Sequence, residues 1–182
     1  EILSGLVGSE MCIRDRLGAA LTTPAFAADL NVKVEIPRLT VAEYHKPYVA
    51  FWIEGADQAF VRNLAVWYDL KMKNNEGTKW LKDMRQWWRK SGRDLQMPVD
   101  GLSGATRAPG EQTLSFNGAK SGLNKLPAGE YSLVVEAARE VGGRELIRVP
   151  FQWPPKSLQT AQTKGEHAVS YTHLTLPTIY SV

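Results

Sequence analysis

Residues 100 to 106 read DGLSGAT. Two hydroxyl side chains, Ser103 and Thr106, stand behind Asp100 among the small residues Gly101, Gly104 and Ala105, and Arg107 follows. So bare a segment suits one of two purposes. In the first, Gly101 and Gly104 supply positive φ to a plain turn that Asp100 caps or starts. In the second, an unhindered hydroxyl is presented to another enzyme, and Gly104 and Ala105 remove bulk beside Thr106 while Gly101 lets the segment bend. The rest of the chain offers little competing chemistry. It holds one cysteine, Cys12, and three scattered histidines, so neither a thiol site nor a histidine-cluster metal site is supported. His45, beside Glu43, reads as a surface histidine. Glu136 and Glu140 fall at a strand end without an evident third partner, and no P-loop or G-x-G-x-x-G occurs.

The ends of the chain bear on what must position this segment. SEMCIRD (9 to 15) and VSYTHLT (169 to 175) are related through their codons. GTC TCT TAT ACA CAT CTC ACT encodes the second, and its reverse complement encodes the first. A DNA inverted repeat translated at both ends has this appearance, and it resembles sequencing adapter. Residues 1–16 and 168–182 are therefore read as adapter-derived and not counted toward the fold. Cys12 and His173 go with them. Removing Arg14 and Arg16 from 22 basic residues, and Glu1, Glu10 and Asp15 from 19 acidic ones, leaves about +4. That charge is too small to imply a nucleic-acid partner. Residues 17–27 run through small and apolar residues to Ala25-Phe26-Ala27, an A-x-A cleavage pattern, and read as the remnant of a signal peptide. Export without cysteine suits a periplasm. No later run approaches the roughly 18 apolar residues of a membrane span.

Between these ends the dominant period is two. Leu30, Val32, Val34 and Ile36 share one face of a strand; Val49, Phe51 and Ile53 share another, with Tyr48, Ala50 and Trp52 opposite. GADQ turns that strand into FVRNLAVWYDL as a hairpin. EQTLSFNG is a short strand. Tyr131, Leu133, Val135 and Ala137 alternate, and Gly142-Gly143 turns them back into Ile147, Val149, Phe151 and Trp153. The spacing predicts a mainly β protein, an immunoglobulin-like antiparallel β-sandwich over residues 28–155, followed by a polar tail at 156–167. In PAGEY, Tyr131 enters its strand after a glycine turn, similar to the tyrosine corner of such sandwiches. One segment departs from the pattern. Trp80, Leu81, Met84, Trp87 and Trp88 recur at helical spacing, with lysines and arginines opposite. They predict one short amphipathic helix in a strand connection, covering the core with snorkelling cations.

DGLSGAT resembles D-x-x-[S/T]-G-A-T, the flavinylation motif of periplasmic FMN-binding domains. The resemblance implies FMN joined through a phosphoester to the Thr106 hydroxyl by an ApbE-type flavin transferase, with Asp100 and Ser103 seating the segment. Arg107 departs from the small hydroxyl residue that often follows the motif's threonine; a guanidinium there either pairs with the FMN phosphate or hinders the transferase. KPYVAFWIE, LAVWY, KWLKDMRQWWRKSGR, VDGLSGATRAPG, LPAGEYSLVVEAAREVGGRE and PFQWPP together resemble the domain-of-unknown-function 2271 family of bacterial periplasmic proteins. That likeness implies a signal peptide, a sandwich-like domain and a link to flavin transferases and PepSY-type membrane reductases. It also implies a final strand after KGEH, whose replacement by adapter would leave a sheet edge open.

Two functions of different class follow. In one, FMN on Thr106 passes electrons between a membrane donor and a periplasmic acceptor, and the protein is a carrier rather than an enzyme with its own substrate. Trp80, Trp87 or Trp88 would then stack on the isoalloxazine. In the other, the sandwich is a non-catalytic binding module and DGLSGAT is a turn. The two differ in what surrounds Thr106: an aromatic, cationic hollow beside an accessible hydroxyl, or burial with the hydroxyl hydrogen-bonded.

Overall fold

A computed structural model describes residues 29–38, 44–140, 143–165 and 171–176. The segments expected to be adapter at the front of the chain and signal-peptide remnant lie outside them. The protein is an antiparallel β-sandwich with a short helix. Strands β1 (Leu30–Ile36), β2 (Tyr48–Gly55), β3 (Phe60–Tyr68), β4 (Ser103–Ala105) and β5 (Gly110–Phe116) precede β6 (Gly129–Arg139), β7 (Gly143–Trp153), β8 (Gln159–Lys164) and β9 (Tyr171–Leu176). One sheet has the order β5-β1-β9-β8, the other β4-β3-β2-β6-β7.

The alternation in the sequence becomes the inter-sheet core. Leu30, Val32, Val34 and Ile36 meet Val49, Phe51 and Ile53, together with Leu133, Val135, Ile147 and Val149. Tyr131 donates its hydroxyl to the Pro127 carbonyl at 2.9 Å, the hydrogen bond that defines a tyrosine corner. β2 is buried on both faces because the five-stranded sheet carries a second apolar layer on its outer side. There Ala50, Trp52, Val66, Tyr68 and Val134 are covered by Leu81, Met84 and Trp87.

That cover lies in the connection from β3 to β4 and differs from the single helix predicted. Residues Lys73–Asp83 follow 3-10 turns interrupted by left-handed Asn74 (φ 54°) and Asn75 (φ 56°), and only Arg85–Lys90, helix α1, is α-helical. The chain breaks at Met84 (φ −78°, ψ 73°). Leu81, Met84 and Trp87 are buried three residues apart, whereas Trp80 stays 43 % exposed. The break has a partner across the sheet: the buried Glu136 carboxylate accepts the N–H groups of Gln86 (3.1 Å) and Trp87 (2.7 Å). These donors of the first helical turn are satisfied from β6 and not by a preceding α-turn.

Two further expectations change. The polar segment after Pro155 is not a tail, since Gln159–Lys164 forms β8. Nor is the expected open edge found, because Tyr171–Leu176, within the segment read as adapter, runs as β9 between β1 and β8. The reason is its alternation: Thr172, Leu174 and Leu176 are buried, with the intervening residues turned the other way.

Candidate functional site

DGLSGAT divides into a turn, an edge strand and a strand end. The Asp100 carboxylate accepts the Gly101 N–H at 3.0 Å, and Gly101 takes φ +71° where a Cβ would meet nothing within 4 Å, so glycine is there for conformation. Ser103 closes the turn on both sides. Its N–H donates to the Val99 carbonyl at 2.9 Å, and its hydroxyl accepts the Val99 N–H at 2.9 Å. From sequence the motif reads as either a plain turn or an unhindered segment presenting Thr106. Ser103–Ala105 is instead β4, paired parallel to β3 with Ser103, Gly104 and Ala105 opposite Val66, Trp67 and Tyr68. Parallel neighbours need a crossover, which residues 69–102 provide.

The pairing dictates Gly104. A Cβ at that position would lie 2.9 Å from Cδ1 of Trp67, whose ring packs edge-on against Phe51 with centroids 4.9 Å apart. Arg107 sits over the same indole, its guanidinium carbon 5.4 Å from the ring centroid. Trp67 thus holds the motif from the core side and engages Arg107, which does not line the hollow described next.

On the outer side, Ala105 and Thr106 line a hollow of about 420 Å³. The Thr106 N–H extends the β3 pairing by donating to the Tyr68 carbonyl at 3.2 Å. Its side chain is half-buried, and no hydrogen bond to its hydroxyl is formed among the described residues. Four strand ends meet here: the start of β2 and the ends of β3, β4 and β6. Aromatic surface comes from Tyr44, Tyr48 and Trp80. Lys46, Lys71 and Arg139 bring positive charge, balanced by Asp69, Asp83 and Glu140. His45 Nδ1 lies 3.4 Å from Glu140 Oε2. Burial raises the Tyr44 pKa against the attraction of Arg139, and burial likewise raises that of Tyr48. Both phenols therefore stay protonated well above neutral pH. The Tyr44 hydroxyl is buried without a hydrogen-bond partner among the described residues.

Of the three tryptophans expected beside a flavin, only Trp80 lines this hollow. Trp87 is fully buried in the outer core, where its indole N–H donates to Asn63 Oδ1 at 2.9 Å. Trp88 faces a separate depression. Glu136 is committed to α1 and to Arg144, 2.8 Å away. Glu140 and His45 both line the hollow. Sequence reasoning missed Tyr44, Tyr48, Lys71 and Met72, which chain order scatters over nearly thirty positions and the sheet gathers. Among the described residues no group of three or more metal-ligating side chains occurs, and no helix is long and apolar enough to cross a membrane.

No curated protein and no solved structure matches the chain. A family model does, over residues 29–171, which takes in β1 to β8 and the whole of DGLSGAT. Its description agrees with the compartment that the leader-like residues led one to expect: the chain belongs to the DUF2271 family, predicted periplasmic proteins.

Proposed function

We propose that the protein is a periplasmic electron carrier bearing FMN phosphoester-linked to Thr106. The observation that carries this reading is the position of Thr106: its hydroxyl stands at the end of an edge strand and borders an aromatic hollow. The volume, about 420 Å³, falls within the roughly 300–1,000 Å³ of small-molecule and cofactor sites. Trp80 offers an exposed indole to a planar ring, and Lys46 and Lys71 positive charge toward a phosphate.

Attachment needs a partner enzyme, an ApbE-type flavin transferase. The Thr106 oxygen forms a bond to phosphorus as the phosphoanhydride of the flavin donor breaks. The hydroxyl proton passes to a base of the transferase, and the nucleotide half leaves with the electron pair. Among the described residues no strand pairs with the outer side of β4, which keeps this hydroxyl approachable. Once attached, the flavin supplies one- and two-electron chemistry, and the protein holds, orients and shields it. A PepSY-type membrane reductase or another periplasmic redox protein would exchange the electrons.

A second reading, a non-catalytic binding module, draws on Gly101 and Gly104. Each has a local reason, a positive φ and the Trp67 ring, that requires no flavin. Intact mass separates the two. Co-expression with an active flavin transferase is expected to add about 438 Da, one FMN less water. Thr106→Ala is expected to remove the addition, and Thr106→Ser to keep it. An unshifted mass, with the transferase active on a control substrate, overturns the carrier reading.

A further inference from the structure

The chain carries +3 overall, yet residues 71–93 alone hold eight lysines and arginines against Glu76 and Asp83. The fold concentrates that surplus. Lys82, Arg85, Arg89 and Arg144 surround a depression of about 380 Å³ that the half-buried Trp88 also lines; no carboxylate among the described residues lines it. Arg144 is steadied by its bond to the buried Glu136, and Arg89 Nε donates to the Arg85 carbonyl at 3.3 Å. The guanidinium of Arg85 and the ammonium of Lys82 have no ion-pair partner among the described residues. A bordering depression, which Arg85 and Arg144 also line, shares Trp80, Asp83, Ala138, Arg139 and Glu140 with the Thr106 hollow. The basic face is thus continuous with the proposed cofactor site.

We infer that this face is the docking surface for a protein partner that presents carboxylates. Charge complementarity selects the partner: four exposed cations gathered around one depression, of which Arg144 is paired with the buried Glu136, attract an acidic surface and speed its encounter. The residue types agree, since tryptophan and arginine are the commonest energetic anchors of protein interfaces. A membrane surface fits less well. Met72 and Trp80, large exposed apolar residues close to this face, line the Thr106 hollow, which leaves too little apolar surface to enter a bilayer. A small anion fits less well too, because the lysine and three arginines all stand on exposed side chains around an open depression. The inference does not rest on a flavin at Thr106.

The test is fluorescence anisotropy with a fluorescein-labelled acidic dodecapeptide of aspartate and glutamate, titrated with the protein at rising salt. Two double variants with equal charge change are compared: Arg85→Glu with Arg89→Glu on the face, and Lys120→Glu with Lys125→Glu in the connection between β5 and β6. The face variant is expected to lose about tenfold or more in affinity and the control less than about twofold, with wild-type binding falling as salt rises. Thr106→Ala is expected to bind as wild type, so failure of the flavin reading leaves this result unaltered. Equal losses in both variants, or no wild-type binding, overturn the proposal. So does tighter binding to vesicles rich in phosphatidylglycerol than to the peptide.

Discussion

Gly104 shows how much one missing side chain can be asked to do. Its Cα faces an indole that cannot retreat, because Trp67 is 3 % exposed and packs against Phe51. Replacement by valine adds strand propensity worth a few tenths of a kcal/mol, but it also drives three carbons toward the ring. Overpacking in a filled core costs about 1–3 kcal/mol, so the clash wins. Gly104→Val is expected to lower unfolding free energy by that amount in urea titration, and an unchanged midpoint would show that Trp67 yields. The effect is structural and separable from Thr106, which lies beyond the end of β4 and lines the hollow. The turn at Asp100 and Gly101 was legible in the sequence because it depends on neighbours in the chain, whereas the positive φ expected of Gly104 is not found, since that residue is in β4. The role of Trp67 was not legible, since it comes from parallel pairing with a strand more than thirty residues earlier. The hollow was illegible for the same reason: its walls are the ends of four strands whose order no local pattern encodes.

At the scale of elements, α1 is held onto the sheet by two buried carboxylates, one toward each end. Glu136 takes the N–H groups of its first turn; Glu54 takes the Lys90 ammonium near its last. Glu54 also accepts from Arg148 at 3.0 Å and from the Trp52 indole at 3.0 Å. Burial works against the Glu54 carboxylate, but the hydrogen bonds from Lys90, Arg148 and Trp52 outweigh it and hold its pKa below the ordinary 4.5. The sign follows. With the folded value depressed, this stabilisation is complete above pH 4.5 and is lost as pH falls through the lower folded value. Glu54→Gln leaves two cations without their counter-charge and is expected to cost about 2–3 kcal/mol at pH 7. The gap between variant and wild type should then narrow as the solution is acidified below pH 4.5. A constant gap across an acid series of denaturation curves would assign the loss to packing and not to charge. The sequence pointed to an amphipathic helix here because Trp80, Leu81, Met84, Trp87 and Trp88 recur at helical spacing, and the three that the fold buries, Leu81, Met84 and Trp87, stand three residues apart. That spacing serves a 3-10 path as well as an α-helix, and only the cross-sheet bond to Glu136 decides where one gives way to the other.

For the whole molecule, the sandwich closes through β9. β1 pairs with β5 on one side and β9 on the other, and β8 joins the sheet through β9. The pairing demands little of the sequence: backbone groups at the right register and apolar residues on alternate positions. Tyr171–Leu176 meets both demands, with Leu174 and Leu176 fully buried. The codon relation that set these residues aside concerns their origin, and a sheet reads only their pattern. Truncation after Gly165 is expected to cost about 3–6 kcal/mol from the two leucines alone. It also uncovers the β1 ladder, so the shortened chain should self-associate in concentration-dependent gel filtration. Two swaps probe the cause: replacing 171–176 with an unrelated alternating hexapeptide, and with one of the same composition as 171–176 whose alternation is broken. The first should restore stability and the monomer; the second should behave as the truncation does. If both restore stability, β9 acts by covering an edge and not by burying its leucines. If the truncated chain is as stable as the full one, the sandwich is complete without β9.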